Sequence, residues 1–113
     1  FWTVNRMSSL VSGFPSDQFV YLGFPPHKKG RQTFFKNIGS IEKTVVFYES
    51  KYRILKTLDE LKKFSNIGER KLLVARELTK QFETIYRGII DEVTAKLNRD
   101  NILGEFVVVI APQ

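Results

Sequence analysis

The sequence predicts an α/β (α+β) domain, with a mixed five-stranded sheet covered by about four helices. Three observations carry this. Residues 44–48 (TVVFY), 72–75 (LLVA) and 106–110 (FVVVI) are runs of β-branched, aliphatic and aromatic residues, the composition of strands buried on both faces. Between them lie stretches whose apolar residues recur every three to four positions, as on a helix that covers a sheet. The two kinds of segment alternate along the chain, and such interleaving layers helices on a sheet. At 113 residues, 42% hydrophobic and 27% charged, the chain has the size and composition of one globular domain.

In order, Val4, Met7 and Leu10 share one face of a short helix that ends at Gly13. The chain does not begin with methionine, which leads us to expect that it starts part-way into a longer protein. Residues 14–17 (FPSD) are a turn by composition. Residues 19–22 read as a strand, stopped by Gly23-Phe24-Pro25-Pro26 because proline cannot donate to a ladder. His27-Lys28-Lys29-Gly30-Arg31 is a basic loop leading into a short helix with Phe34, Phe35 and Ile38 apolar, closed by Gly39-Ser40.

The strand at 44–48 follows, then a helix from about Ser50 to Phe64 with Ile54, Leu58, Leu61 and Phe64 on one stripe. Ser50 is its expected N-cap, and Asn66 and Gly68 its stop. Residues 71–77 hold a second buried strand, running into Arg76-Glu77-Leu78-Thr79-Lys80. Residues 82–87 alternate less cleanly, as an edge strand or extended segment does, and Gly88 breaks them. Ile89, Ile90, Val93 and Leu97 mark a helix with Asp91 and Glu92 in its first turn, where the helix dipole favours carboxylates. Residues 98–104 are loop, and 106–110, apolar throughout, are expected to be a central strand.

Composition excludes several classes of function. Without cysteine there is neither a disulfide framework nor a thiolate metal site, and His27 alone does not make a histidine-based one. No apolar run is long enough to span a bilayer, and FWTVNRMSS is not built like a signal peptide, so a cytoplasmic protein without a membrane partner is expected. The formal net charge is +6. Within residues 1–40, Arg6, Lys28, Lys29, Arg31 and Lys36 face Asp17 alone, so the excess gathers near the HKKGR loop. A local basic excess argues for an anionic partner; a solvated basic surface is the plainer reading.

Two buried strands end in polar clusters: Tyr48-Glu49-Ser50 with Arg53, and Arg76-Glu77-Leu78-Thr79-Lys80 with Glu83 and Arg87. If the two strands are parallel neighbours, both clusters lie on one rim at carboxyl ends of strands, where ligands bind in open α/β sheets. The structural alternatives are an i, i+4 pair between Glu49 and Arg53, and sheet-edge ion pairs Arg76–Glu83 or Glu77–Arg87. No glycine-rich phosphate loop and no nucleophile–base–orienter set is present, so the catalytic residues stay unknown.

Residues 12–31 (SGFPSDQFVYLGFPPHKKGR), 45–53 (VVFYESKYR), 75–88 (ARELTKQFETIYRG) and 104–110 (GEFVVVI) together resemble the C-terminal half of the ribosomal small-subunit methyltransferase I family. That family is a branch of the tetrapyrrole (corrin/porphyrin) methylase superfamily. The resemblance implies the C-terminal domain of the tetrapyrrole methylase fold, with the chain as the second half of a two-domain enzyme. Its N-terminal domain, carrying a glycine-rich loop, lies outside this sequence. It further implies S-adenosylmethionine as cofactor, held between the domains, and methylation of a cytidine ribose 2′-hydroxyl of small-subunit rRNA, usually by a homodimer. The fragment alone is expected to be inactive.

Carried over by position, Tyr48, Glu49, Ser50, Arg76, Glu77, Leu78 and Thr79 line the cofactor cleft, and Gly104 and Glu105 match the turn before the last strand. Lys28, Lys29 and Arg31, with Arg53, Lys80 and Arg87, are assigned to RNA. Tyr52, Tyr86 and Trp2 are the candidates for stacking a base. Two departures stand out: the family's E-S-P-H-R is E-S-K-Y-R here, with Tyr52 in the histidine position, and the segment before Ser12 does not match. Two rival readings remain, a tetrapyrrole methyltransferase of the same superfamily and a non-catalytic RNA-binding module.

Overall fold

The computed structural model describes residues 19–77, 83–100 and 102–112. Five strands, β1 (Phe19–Tyr21), β2 (Thr44–Ser50), β3 (Leu72–Glu77), β4 (Glu83–Gly88) and β5 (Glu105–Ile110), form one sheet in the order β1-β2-β5-β3-β4. Three helices, α1 (Arg31–Ser40), α2 (Ile54–Phe64) and α3 (Ile90–Asn98), complete the described elements. The expected helix around Val4 to Leu10 falls outside the described residues.

The sheet is mixed, as expected. β1 pairs parallel with β2, while β5 runs antiparallel to both β2 and β3, and β4 antiparallel to β3. β5 is therefore the central strand and β4 an edge, which accounts for the unbroken apolar run of the first and the weaker pattern of the second. The premise that β2 and β3 are neighbours is corrected: they are parallel to each other, but β5 separates them.

The pleat sorts alternate residues to opposite faces. Val45 and Phe47 of β2, Leu72 and Val74 of β3, and Phe106, Val108 and Ile110 of β5 join Phe35, Ile38, Ile54, Leu58, Leu61, Val93 and Leu97 of the helices in one buried cluster. Val46 and Tyr48, Leu73 and Ala75, and Val107 and Val109 form a second cluster on the other face, with Phe19 packed against it. Strands buried on both faces carry no polar alternation, which is why their sequences read as continuous apolar runs.

The helix after β2 starts where its apolar stripe does, at Ile54, and not at about Ser50 as expected. Ser50 is the last residue of β2, paired with Glu105, and α2 begins at Ile54 with Arg53 at the N-cap and no side-chain cap bond. Strand pairing claims Ser50, and the turn closes through Arg53 N–H donating to the Ser50 carbonyl at 3.2 Å. At its far end Asn66 and Gly68 both take left-handed φ, +50° and +52°, as the expected stop requires.

Gly39 sits where α1 crosses the end of α2. A Cβ there would run into the Ser65 carbonyl oxygen, and Ser65 Oγ in turn donates to the Phe35 carbonyl at 2.5 Å. Gly39→Ala is therefore expected to force the two helices apart and lower stability by about 1–3 kcal/mol, as overpacking does. Urea denaturation of the variant beside wild type measures this.

Candidate functional site

The register decides where the two predicted clusters go. Ser50 at the end of β2 and Glu77 at the end of β3 are both Cα partners of Glu105, the first residue of β5. With strands spaced about 4.8 Å apart, the two strand ends lie about 10 Å from each other on one rim. β1 ends on the same side, and the chain leaving it stays at the rim, where Tyr48 N–H donates to the Gly23 carbonyl at 2.8 Å. Glu83 is the Cα partner of Glu77, so Glu105, Glu77 and Glu83 stand on three adjacent strands in one row.

Alternation then divides this rim between two faces. On the helix side, Glu49 is 1% exposed and its carboxylate is committed inward. It accepts a hydrogen bond from Thr57 Oγ1 at 2.5 Å and from Ser50 N–H at 2.8 Å, and Arg53 Nε lies 3.5 Å away. Thr57 Oγ1 accepts from Arg31 Nη2 at 3.0 Å, and Arg31 also binds Glu60 Oε1 at 2.9 Å and the Pro26 carbonyl at 2.6 Å. The Arg31 guanidinium lies over the Phe35 ring. Of the two residues assigned to RNA and to the cofactor cleft, Arg31, 6% exposed, turns its guanidinium inward, and Glu49 belongs to the same buried network behind the rim.

On the other face stand Tyr48 and Ser50. Burial, with Tyr21 beside it, raises the Tyr48 phenol above its ordinary value of 10.0. Ser50 Oγ is buried and has no hydrogen-bond partner among the described residues. A buried hydroxyl left unmatched at a sheet rim is what a ligand's polar group would satisfy. Lys28 and Lys29 are exposed in the loop that leaves this rim, and Arg53 is about a third exposed.

Along β3 and β4 the predicted residues scatter. Arg76 faces the helix side and donates from Nη2 to Thr84 Oγ1 at 3.0 Å. Arg87 pairs with Leu73, four positions back from the rim row, so it is roughly 13 Å from it and does not join the cluster. Leu78, Thr79 and Lys80 lie outside the described residues, as does Trp2. Tyr86 is buried and donates to Asp100 Oδ2 at 2.5 Å, which removes it as a stacking surface. Tyr52, 82% exposed in the turn after Ser50, lies at the rim with Lys51 Nζ 5.2 Å from its ring centroid.

Sequence reasoning missed Thr57, Glu60 and the exposed pair Tyr21 and Phe24. Thr57 falls three residues after Ile54 on the buried stripe, so a polar residue at an apolar position was its available signal. Among the described residues no group of three or more histidine, aspartate or glutamate side chains is arranged to hold a metal, and no helix is long and apolar enough to cross a membrane.

No protein-family model matches the chain. Curated relatives do. The chain is 36% identical over 101 residues to "Ribosomal RNA small subunit methyltransferase I" of Thermotoga maritima, covering 89% of this chain and 45% of that protein. It is 40% identical over 103 residues to the protein of the same name from Synechocystis, covering 90% and 37%, and 40% identical over 104 residues to that of Escherichia coli O157:H7, covering 88% and 36%. The chain is homologous to part of ribosomal RNA small subunit methyltransferase I. It spans less than half the length of these relatives. Among solved structures, a cobalamin biosynthetic enzyme, cobalt precorrin-4 methyltransferase, superposes with a TM-score of 0.58 over 85% of this chain and 41% of its own at 12% identity. At that identity the likeness is one of fold alone.

Two outcomes follow from this geometry. Thr57→Val removes the hydroxyl that joins Arg31 to Glu49 and leaves both charges short of a partner, so denaturant melts should show a loss of about 1–3 kcal/mol, with Thr57→Ser close to wild type. Burial and then the bond to Asp100 raise the Tyr86 phenol to about 12 from 10.0. A raised folded-state value means that the contribution is fully present below pH 10 and is lost as pH climbs from 10 through about 12. Stability followed across that interval should fall in wild type, and the Tyr86 component should vanish in Tyr86→Phe.

Proposed function

We propose that this chain is the C-terminal domain of a two-domain, S-adenosylmethionine-dependent methyltransferase that methylates a cytidine ribose 2′-hydroxyl of small-subunit rRNA. Its own N-terminal domain and a second protomer are the protein partners in this reading, and it works in the cytoplasm. The observation that carries it is the shared register of Ser50 and Glu77 on Glu105. This brings the ends of β2 and β3, which carry Tyr48-Glu49-Ser50 and Arg76-Glu77, to one ledge.

S-adenosylmethionine supplies an electrophilic methyl group on a sulfonium, transferred by in-line displacement. The chain's residues then have to bind and orient. Ser50 Oγ offers an unsatisfied hydroxyl to the cofactor, and the row Glu105, Glu77, Glu83 places carboxylate-bearing positions where a sulfonium's positive charge is favoured. Holding donor and ribose in line is where most of the acceleration of such a displacement arises. Lys28 and Lys29 supply phosphate contacts, and Tyr52 an exposed ring at the rim with Lys51 over one face. This basic loop favours RNA over a tetrapyrrole.

The test uses the full-length protein. It should bind S-adenosylmethionine in calorimetry, transfer labelled methyl to small-subunit RNA, and lose several-fold in cofactor affinity when Ser50 becomes Val. A Ser50→Val variant with unchanged cofactor affinity removes this rim from the cofactor site. Methylation of a corrinoid in place of RNA selects the tetrapyrrole reading. Steeply salt-dependent RNA binding with no cofactor affinity in wild type selects a non-catalytic module.

A further inference from the structure

At the edge of the rim occupied by β1, three aromatic rings meet on the face that carries no described helix. Tyr21 packs edge-on against Tyr48 with ring centroids 5.5 Å apart, and Phe24 is tilted against the same ring at 5.3 Å. Tyr48 is 8% exposed, whereas Tyr21 is 48% and Phe24 47% exposed. A lone exposed aromatic needs no explanation. Two half-open rings gripped by one buried ring are a different matter, because their positions are fixed before any ligand arrives.

The backbone beneath them is fixed too. Leu22 N–H donates to the Val46 carbonyl at 2.9 Å and Tyr48 N–H to the Gly23 carbonyl at 2.8 Å, so the chain stays laddered to β2 through the turn that carries Phe24. Three residues beyond Phe24 the exposed run His27-Lys28-Lys29 begins, and its far end is tied down where Arg31 Nη1 donates to the Pro26 carbonyl at 2.6 Å. Apolar ring faces beside exposed ammonium groups match an unpaired nucleotide, whose base stacks while its phosphate takes the cation.

We propose that Tyr21 and Phe24, braced by Tyr48, form a stacking platform for an unpaired base of the RNA substrate, with Lys28 and Lys29 on the adjoining phosphates. This rests on the reading of the protein as an RNA methyltransferase and names where its substrate strand lies. The platform lets the rim hold a strand whose bases are splayed out, which a ribose hydroxyl must be if a donor is to reach it in line.

The experiment compares the full-length protein with Phe24→Leu, Tyr21→Leu and Phe24→Trp for binding to a labelled oligocytidylate of roughly ten nucleotides. Calorimetric S-adenosylmethionine affinity serves as the control for folding. Each leucine variant should bind the RNA about tenfold or more weakly with cofactor affinity and salt slope unchanged, and Phe24→Trp should bind as wild type does. Lys28→Ala with Lys29→Ala should instead flatten the salt slope. RNA affinity unchanged in both leucine variants overturns the platform while leaving the methyltransferase reading intact. Loss of cofactor affinity in their place overturns it by assigning the rings to the cofactor. Failure of the wild-type protein to bind RNA overturns the platform and the RNA reading together.

Discussion

A carboxylate and a guanidinium taken out of water each cost several kcal/mol unless the interior returns their hydrogen bonds. In this domain Glu49 and Arg31 are both buried, and Thr57 is the atom-level link between them, donating to one and accepting from the other. Glu60 and the Pro26 carbonyl take up further Arg31 donors, and Ser50 N–H caps the Glu49 carboxylate. Four parts of the chain are joined at this point: the loop after β1, the start of α1, the first half of α2 and the end of β2. Such a network adds little net stability over an apolar core of the same volume, but breaking it is expensive. Its effect is to hold the rim in one arrangement from behind.

Because the rim's helix side is spent on that network, the proposed function assigns ligand chemistry to the other face. Period-two alternation makes the division sharp. Glu49 points inward and its neighbours Tyr48 and Ser50 point the opposite way; a register slip of one residue would exchange them. The slip is opposed by Phe47 and Val45 on the helix side, whose burial it would undo. Packing of the core and placement of the candidate site are thus one constraint. The antiparallel course of β5 between two parallel strands sets the width of the ledge, since both neighbours end opposite its first residue, Glu105.

Under the proposed function this arrangement separates two tasks. The middle of the rim, with Ser50 and the glutamate row, is suited to a cationic methyl donor. The β1 edge, with two open rings and the basic loop, is suited to a polyanionic strand. Opposite charges of ligand are served at neighbouring places along one edge, and donor and acceptor would meet between them.

The sequence by itself determined the strands and helices that bury apolar surface. Continuous β-branched runs marked β2, β3 and β5, a 3.6-residue stripe marked α2, and the left-handed turn at Asn66 and Gly68 ended it. Local composition suffices there because burial, helical period and turn conformation are properties of a few consecutive residues. It also marked the ends of β2 and β3 as polar clusters on buried strands, and motif resemblance pointed to the homologous methyltransferases. What it did not hold was pairing. That β5 lies between β2 and β3, that Arg31 turns inward to Glu60 and Thr57, that Arg87 sits away from the rim, and that Tyr21 and Phe24 meet on Tyr48 all depend on contacts between residues tens of positions apart. Those are set by which strands find each other and which face the pleat assigns, and only the tertiary structure decides them.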